Sequence, residues 1–286
     1  MLIIHDPRCA DYERPGHPER PARTTATAAY LKQHRPDWPW AEPRGGAGDE
    51  VLLLAHTREH LGRLGQPGDF DADTANLPHI AERARSSVSA ALDAAAHAAA
   101  GKGPAFSLMR PPGHHACAGQ AMGFCYLNQI AVAALAQRRL GLRRIAVWDF
   151  DAHHGNGTEA ILRGLDGILF CSVHQYPGYP GTGMRSDGNC RNWPVPPMAD
   201  RATHMAALRQ SLDAVIGFGP ELILVSAGFD AYRGDPLTEM SLEAEDFASL
   251  GTWLRDSSAP AAAVLEGGYS PDLPVLADQF LGAWSG

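Results

Sequence analysis

Residues 145–157, IAVWDFDAHHGNG, run from an apolar stretch directly into an Asp-x-Asp-x-His-His cluster. Asp151 and His153 stand two apart, so on an extended backbone both side chains face the same side. One hard carboxylate and one imidazole on one side of a strand end form half of a divalent-metal site. The same residues could equally be a salt-bridged strand end with a capping aspartate, and the motif alone does not separate the two. Three further segments repeat the pattern and favour the chemical reading. ELILVSAGFD (221–230) passes from an apolar run through small residues to Asp230. PAFSLMRPPGHHA (104–116) stops at Pro-Pro-Gly and displays His114 and His115, while AAAVLEGGY (261–269) ends in Gly267-Gly268 and delivers Tyr269. If these strands share one parallel sheet, Asp149, Asp151, His153, Asp230, His114, His115 and Tyr269 converge on its carboxyl edge, where open α/β sheets place their ligand sites.

The elements that must position these groups are legible as alternating patterns. Strands are expected at 2–5, 105–109, 145–149, 168–173, 222–226 and 262–265. Helices are expected at about 20–34, 78–100, 125–139, 155–164, 202–217, 241–256 and 272–284. Strands alternating with helices require crossover connections, hence a mostly parallel sheet covered on both faces. The Ala-rich 78–100 segment should pack closely on that sheet. Two Gly/Pro-rich stretches, 35–49 and 175–199, read as irregular, the second bordering the site from a strand's carboxyl end. No internal repeat or linker is visible, so 1–286 reads as a single α/β domain of three layers, α/β/α.

Composition narrows the function classes. A formal charge of −8 argues against nucleic acid or an anionic membrane as the main partner. No apolar run approaches the roughly 18 residues of a membrane span, and the start, MLIIHDPRC, reads as too short for a signal peptide. Five cysteines without C-x-x-C spacing fit reduced thiols and a cytoplasmic location, with Cys125 and Cys171 expected in the core.

With these residues in view, the chain resembles the histone deacetylase family, within the arginase–deacetylase fold, over nearly all its length. The matching segments fall in family order: HPERPAR (17–23), RPPGHHA, MGFCYLN, DFDAHHGNG, SVHQYPGYPGTG, SAGFDAYRGDPL and EGGY. RPPGHHA and HHGNG resemble the class II branch, since class I usually has Asp at the Asn156 position. The resemblance implies a deacetylase whose metal ligands are Asp151, His153 and Asp230, with His114 and His115 as tandem histidines and Tyr269 as the catalytic tyrosine. Tyr at that position, rather than the His of the weakly active class IIa branch, implies a competent enzyme. His115 would be the general base and then the acid, oriented by Asn156; His114 would be its electrostatic partner, oriented by Asp149. An uncharged partner should leave His115 less basic than an Asp would. Tyr269 would donate a hydrogen bond to the oxyanion.

The resemblance also implies one catalytic Zn²⁺, with Fe²⁺ as the alternative, and a structural K⁺ drawing oxygens from Asp149, Asp151, His153 and Ser172. Gly123, Phe124, Tyr179 and Leu237 would line the substrate channel, and Arg23 would lie near the acetate exit path. For Arg23 the competing reading is an ordinary surface arginine in the first helical turns. Asp71 and Asp73 in FDADT lie near a rim carboxylate of the family, with solvated loop charges as the favoured reading. Leu237 stands where the acetylpolyamine-selective vertebrate branch carries Glu, which tilts against that polyamine-selection device. The compact stretch at about 60–78 implies that the dimer-building loop of bacterial polyamine deacetylases is missing, so a monomer is expected. The expected substrate is an acylated primary amine: acetyl-lysine, an acetylpolyamine or another small amide. Two other classes compete. A silent acyl-amine binding protein is opposed by the complete ligand and histidine set. A dinuclear ureohydrolase is opposed by the missing second carboxylate set, since Asp230 is followed by Ala231 and Tyr232.

Overall fold

Successive side chains of residues 145–149 enter two different cores: Ile145 and Val147 join one, Ala146 and Trp148 the other. A strand buried on both faces needs helices on both, and the rest of the chain supplies them. The computed structural model describes residues 1–286. Its strands are β1 (Leu2–Ile4), β2 (Trp40–Ala41), β3 (Ala105–Ser107), β4 (Ile145–Asp149), β5 (Ile168–Gln175), β6 (Cys190–Val195), β7 (Leu222–Ala227) and β8 (Ala261–Leu265). They form one sheet in the order β2-β1-β3-β8-β7-β4-β5-β6, and every neighbouring pair is parallel. In the central register Trp148 lies beside Cys171 and Val225.

The helices, in chain order, are α1 (Ala22–His34), α2 (Asp49–Leu52), α3 (Arg58–Leu64), α4 (Ile80–Ala99), α5 (Gln129–Arg139), α6 (Asn156–Leu162), α7 (Arg201–Gly217), α8 (Ala244–Asp256) and α9 (Leu273–Ser285). The core holding Ile145 takes its helical residues from α2 to α6; the core holding Trp148 takes them from α1, α7, α8 and α9. Ala84, Ala91, Ala94, Ala95 and Ala98 of α4 are all buried, so its backbone comes close to β3 and β8 as the Ala-rich pattern predicts. The Asn128 side chain caps α5 by accepting from the Ala131 N–H at 3.0 Å, and its amide donates to the Ala116 carbonyl, also at 3.0 Å. That cap ties the start of α5 to the segment carrying the paired histidines.

Several expectations need correction. The 35–49 and 175–199 stretches are not wholly irregular: they contain β2 and β6. β6 escaped notice because Pro194 interrupts its pattern; Pro has no N–H to donate, which the sheet edge tolerates. The helix expected from 125 starts at Gln129, since Asn128 serves better as a cap than inside. The helix expected from 241 starts at Ala244, behind a capping box made by Glu243 and Asp246. Short helices α2 and α3 were not anticipated. All five cysteines are free, with Cys125 and Cys171 in the core. No helix is long and apolar enough to cross a membrane.

His204 of α7 is fully buried, and neither ring nitrogen has a protein partner. Burial pushes its pKa down to about 4 from an ordinary 6.5. Between those values the unfolded chain binds a proton that the native state refuses, so stability falls as pH drops through the window. The loss at about pH 4 is on the order of 3 kcal/mol. His204→Leu should remove that share of acid sensitivity. Chemical denaturation of both proteins at neutral pH and near pH 4.5 checks it, and equal losses in both would contradict it.

Candidate active site

The four segments singled out by sequence follow β3, β8, β7 and β4, which are consecutive neighbours in the sheet. Their carboxyl ends therefore open side by side on one edge. Asp151, His153 and Asp230 bring one donor atom each to within 4.8 Å of one another. The mechanism of approach differs from the expected one. β4 stops at Asp149, and residues 151–153 bend rather than continue as a strand. Asp151 Oδ1 accepts the His153 N–H at 2.9 Å, so a local turn aligns the two side chains. His153 Nδ1 lies 3.2 Å from Asp151 Oδ1 and 2.9 Å from Asp230 Oδ2. The remaining carboxylate oxygens are anchored: Asp151 Oδ2 accepts from Gly267 N–H at 2.7 Å, and Asp230 Oδ1 from Ala152 N–H at 2.8 Å.

This donor set fits a divalent metal. Asp151 and Asp230 are both fully buried and close together, an arrangement that is costly without a cation between them. His153 records the imbalance: burial opposes its charge, yet Asp230 and Asp151 raise its pKa well above the ordinary imidazole value. Two carboxylates and one imidazole leave coordination positions open, as catalytic metal sites do. Gly267 must be glycine here, because a Cβ would overlap the carboxylates of Asp230 and Asp151.

His114 and His115 lie beside this triad with ring centroids 4.0 Å apart. His114 Nδ1 is 3.0 Å from Asp149 Oδ2, and His115 Nδ1 is 2.7 Å from Asn156 Oδ1. Their electrostatics diverge sharply. Burial works against a charge on His114, but Asp151 and Asp149 overcome it and raise the pKa to about 10. A divalent ion on Asp151 would offset part of that pull. Burial drives His115 well below the ordinary value, with His114 and His153 adding to the effect. His115 is thus the neutral imidazole of the pair at pH 7.

Above the triad lies a cavity of about 180 Å³ lined by Asp73, His115, Gly123, Phe124, His153, Tyr179, Leu237 and Tyr269. Every expected channel residue is on this wall. Gly123 has φ +56°, and a Cβ there would strike the His115 ring. Tyr179 meets His115 edge-on with centroids 5.1 Å apart, and Phe124 meets Tyr269 edge-on at 5.9 Å. Asp73 is exposed, as a loop charge should be, and it also borders this mouth. Asp71 does not line it; its Oδ1 accepts the Asp73 N–H at 2.9 Å.

The surface reading of Arg23 is overturned, since the residue is 4% exposed. Its Nε donates to the Gly268 carbonyl at 2.7 Å, its Nη2 to the Glu266 carbonyl, and its guanidinium lies 4.7 Å from the Tyr269 ring centroid. Ser172 stands beside Asp149 in the β4–β5 register, with its hydroxyl 2.9 Å from His174 Nδ1. Glu266 was missed by the sequence reading. Fully buried, its Oε2 accepts the backbone N–H of Gly113 at 2.7 Å and of His114 at 3.2 Å, and it fixes the histidine turn. Burial raises its pKa to about 7 although His114 opposes the rise. The signal was present: a lone carboxyl ending an apolar run before Gly-Gly repeats the pattern of the other strand ends.

Comparison with known proteins gives this geometry its context. Residues 17–282 match the family model described as the histone deacetylase domain. A probable deacetylase of Methanothermobacter thermautotrophicus is 38% identical over 288 residues, covering 95% of this chain and 86% of that protein. The crystal structure of the HDA15 HD domain superposes with a TM-score of 0.91 at 30% identity, covering 100% of this chain and 91% of that one. An acetylpolyamine aminohydrolase from Burkholderia pseudomallei superposes with a TM-score of 0.88 at 28% identity, covering 99% and 98%. The parallel eight-stranded sheet with helices on both faces is thus the arginase–deacetylase fold. From the match over residues 17–282 and the identity to relatives along almost the whole chain, we conclude that it belongs to the histone deacetylase family.

Proposed function

We propose that the protein is a zinc-dependent deacetylase that hydrolyses the amide of an acylated primary amine held in the 180 Å³ cavity. The observation that carries this reading is a single narrow cavity whose wall includes both His115 and His153. Aromatic rings grip an apolar chain, and polar groups gather at its end, as small-molecule sites require. Asp151, His153 and Asp230 would hold the metal, zinc by family resemblance with iron(II) as the alternative. Bound there, it would polarise the amide carbonyl and lower the pKa of water to about 7.

The chain's own groups divide the remaining work. With its Nδ1–H given to Asn156, His115 presents Nε2 to take the proton of the attacking water and return it to the leaving amine. His114, paired with Asp149, contributes positive charge beside it. Tyr269 donates its O–H to the carbonyl oxygen as negative charge develops. Burial raises the Tyr269 pKa well above 10, so it remains a donor across the working range. Gly123, Phe124, Tyr179 and Leu237 confine the alkyl chain, and Arg23, buried behind Tyr269, borders the path by which acetate leaves. By resemblance a structural K⁺ would take oxygens from Asp149, Asp151, His153 and Ser172. The reading also takes residues 1–286 as one catalytic domain, a cytoplasmic monomer without nucleic-acid or membrane partners.

Acetyl-lysine in a peptide and acetylpolyamines are the two substrate classes at issue. Leu237, 40% exposed on the cavity wall, provides no counter-charge for a polycation, which tilts against that polyamine-selection device, while Asp73 offers a carboxylate at the same mouth. Metal content measured together with turnover on acetyl-lysine peptides and acetylpolyamines tests the proposal. No turnover on any acylated amine by the zinc-loaded protein would end it.

Asn156 gives a pH test. As a base, His115 must be neutral, so kcat/KM is lost as pH falls through its pKa, which is depressed here. Asn156→Asp places a carboxylate on Nδ1 and should raise that pKa by about 1–3 units. The acid limb of the kcat/KM profile should move up accordingly. An unmoved limb would remove His115 as the titrating base.

A further inference from the structure

Asp235 lies five positions beyond Asp230, in the loop between β7 and α8, and is 6% exposed. Its Oδ1 accepts the Leu237 N–H at 2.9 Å, a local turn contact that any short polar side chain could make. Its Oδ2 reaches 34 positions along the chain to accept the N–H of Tyr269 at 2.7 Å, and that of Ser270 at 3.3 Å. No lysine or arginine pairs with this carboxylate; its hydrogen-bond donors are all backbone N–H groups. Burial raises its pKa to about 7, with Asp230 adding to the rise, so the arrangement is electrostatically expensive for a turn. Leu237 and Tyr269 both line the cavity. Tyr269 is held from its other side by Arg23, through the Gly268 carbonyl and the ring face.

We propose that Asp235 is a positioning residue whose carboxylate, anchored at the Leu237 turn, clamps the Tyr269 backbone so that the oxyanion donor is held in place. The inference rests on the functional reading above and deepens it. Asp235 touches no substrate; it acts through the placement of the Tyr269 hydroxyl. A misplacement of about 1 Å in a reacting group costs roughly 10²-fold in rate.

The test uses zinc-loaded enzyme and the best acylated amine of the panel. Asp235→Asn keeps one carbonyl acceptor but turns an NH₂ group toward backbone N–H donors. We expect kcat to fall by about 10- to 10²-fold. KM should change by less than about threefold and zinc content should hold, because only an interaction made in the transition state is weakened. In a Tyr269→Phe background the same change should cost less than about twofold, since there is no hydroxyl left to misplace. Asp235→Glu, which keeps the charge but displaces the acceptor, should reproduce the nested loss if the Asn variant does not fold. Full additivity with Tyr269→Phe, loss of zinc, or a change confined to KM would overturn the proposal. An inactive wild type would instead sink the functional reading, and that outcome is distinct from an active wild type with additive variants.

Discussion

Asp230→Ala is expected to abolish zinc retention and turnover together. Asp230 is fully buried; one oxygen is anchored by the Ala152 N–H at 2.8 Å and the other faces His153 Nδ1 at 2.9 Å. Alanine leaves one carboxylate and one imidazole, too few protein donors to hold a catalytic metal firmly. Losing an outer partner of a metal ligand already costs about 10- to 100-fold in affinity, so losing a ligand must cost more. The two metal states should differ in stability. Without metal, relief of the repulsion between Asp151 and Asp230 is opposed by loss of the Ala152 N–H acceptor and of the His153 partner, so the metal-free Tm values serve only as baselines. With metal supplied, only the wild type should gain Tm, through mass action on the native state. Elemental analysis, a chelator-and-zinc cycle and paired melts read these outcomes. Full metal occupancy in the variant would remove Asp230 from the ligand set.

How much of this was readable in advance follows from which physical signals are local. The run Ile145 to Asp149 announces its strand because hydrophobicity and β-branching act within a few residues, and its buried placement on both faces follows. The convergence of His114, Asp151, Asp230 and Tyr269 required one inference beyond that: parallel strands share a carboxyl edge. Their strands prove to be consecutive neighbours, which no local pattern encodes. The Asp151–His153 approach was expected from strand pleating and instead comes from a side-chain-to-backbone turn, a competition that short polar residues often win. Arg23 was placed near the site by the family resemblance alone. Its type and helical position suggest a surface residue, but its partners, the carbonyls of Glu266 and Gly268, lie at the far end of the chain. Asp235 went unseen for a related reason. It serves the site through backbone N–H groups, which every residue possesses, so no side-chain pattern marks it.

Tyr269→Phe should lower kcat by about 10²–10³, the usual cost of one oxyanion donor, while leaving KM, zinc content and Tm close to wild type. The separation is possible because the ring's packing and the hydroxyl's chemistry rest on different contacts. Phenylalanine keeps the edge-on contact with Phe124 and the face that receives the Arg23 guanidinium. The backbone N–H of residue 269 still donates to Asp235. Only the O–H is lost, and it gains its importance when negative charge gathers on the carbonyl oxygen. An equal fall in kcat and kcat/KM would place the interaction in the transition state alone. A rise in KM with unchanged kcat would make Tyr269 a binding residue, and near-wild-type values of both would remove it from the mechanism. Because burial keeps its phenol protonated well beyond neutral pH, the defect should be the same size at every working pH. His115 is the contrast: a fault there would reshape the acid limb, whereas a lost Tyr269 hydroxyl should lower the whole profile without moving it.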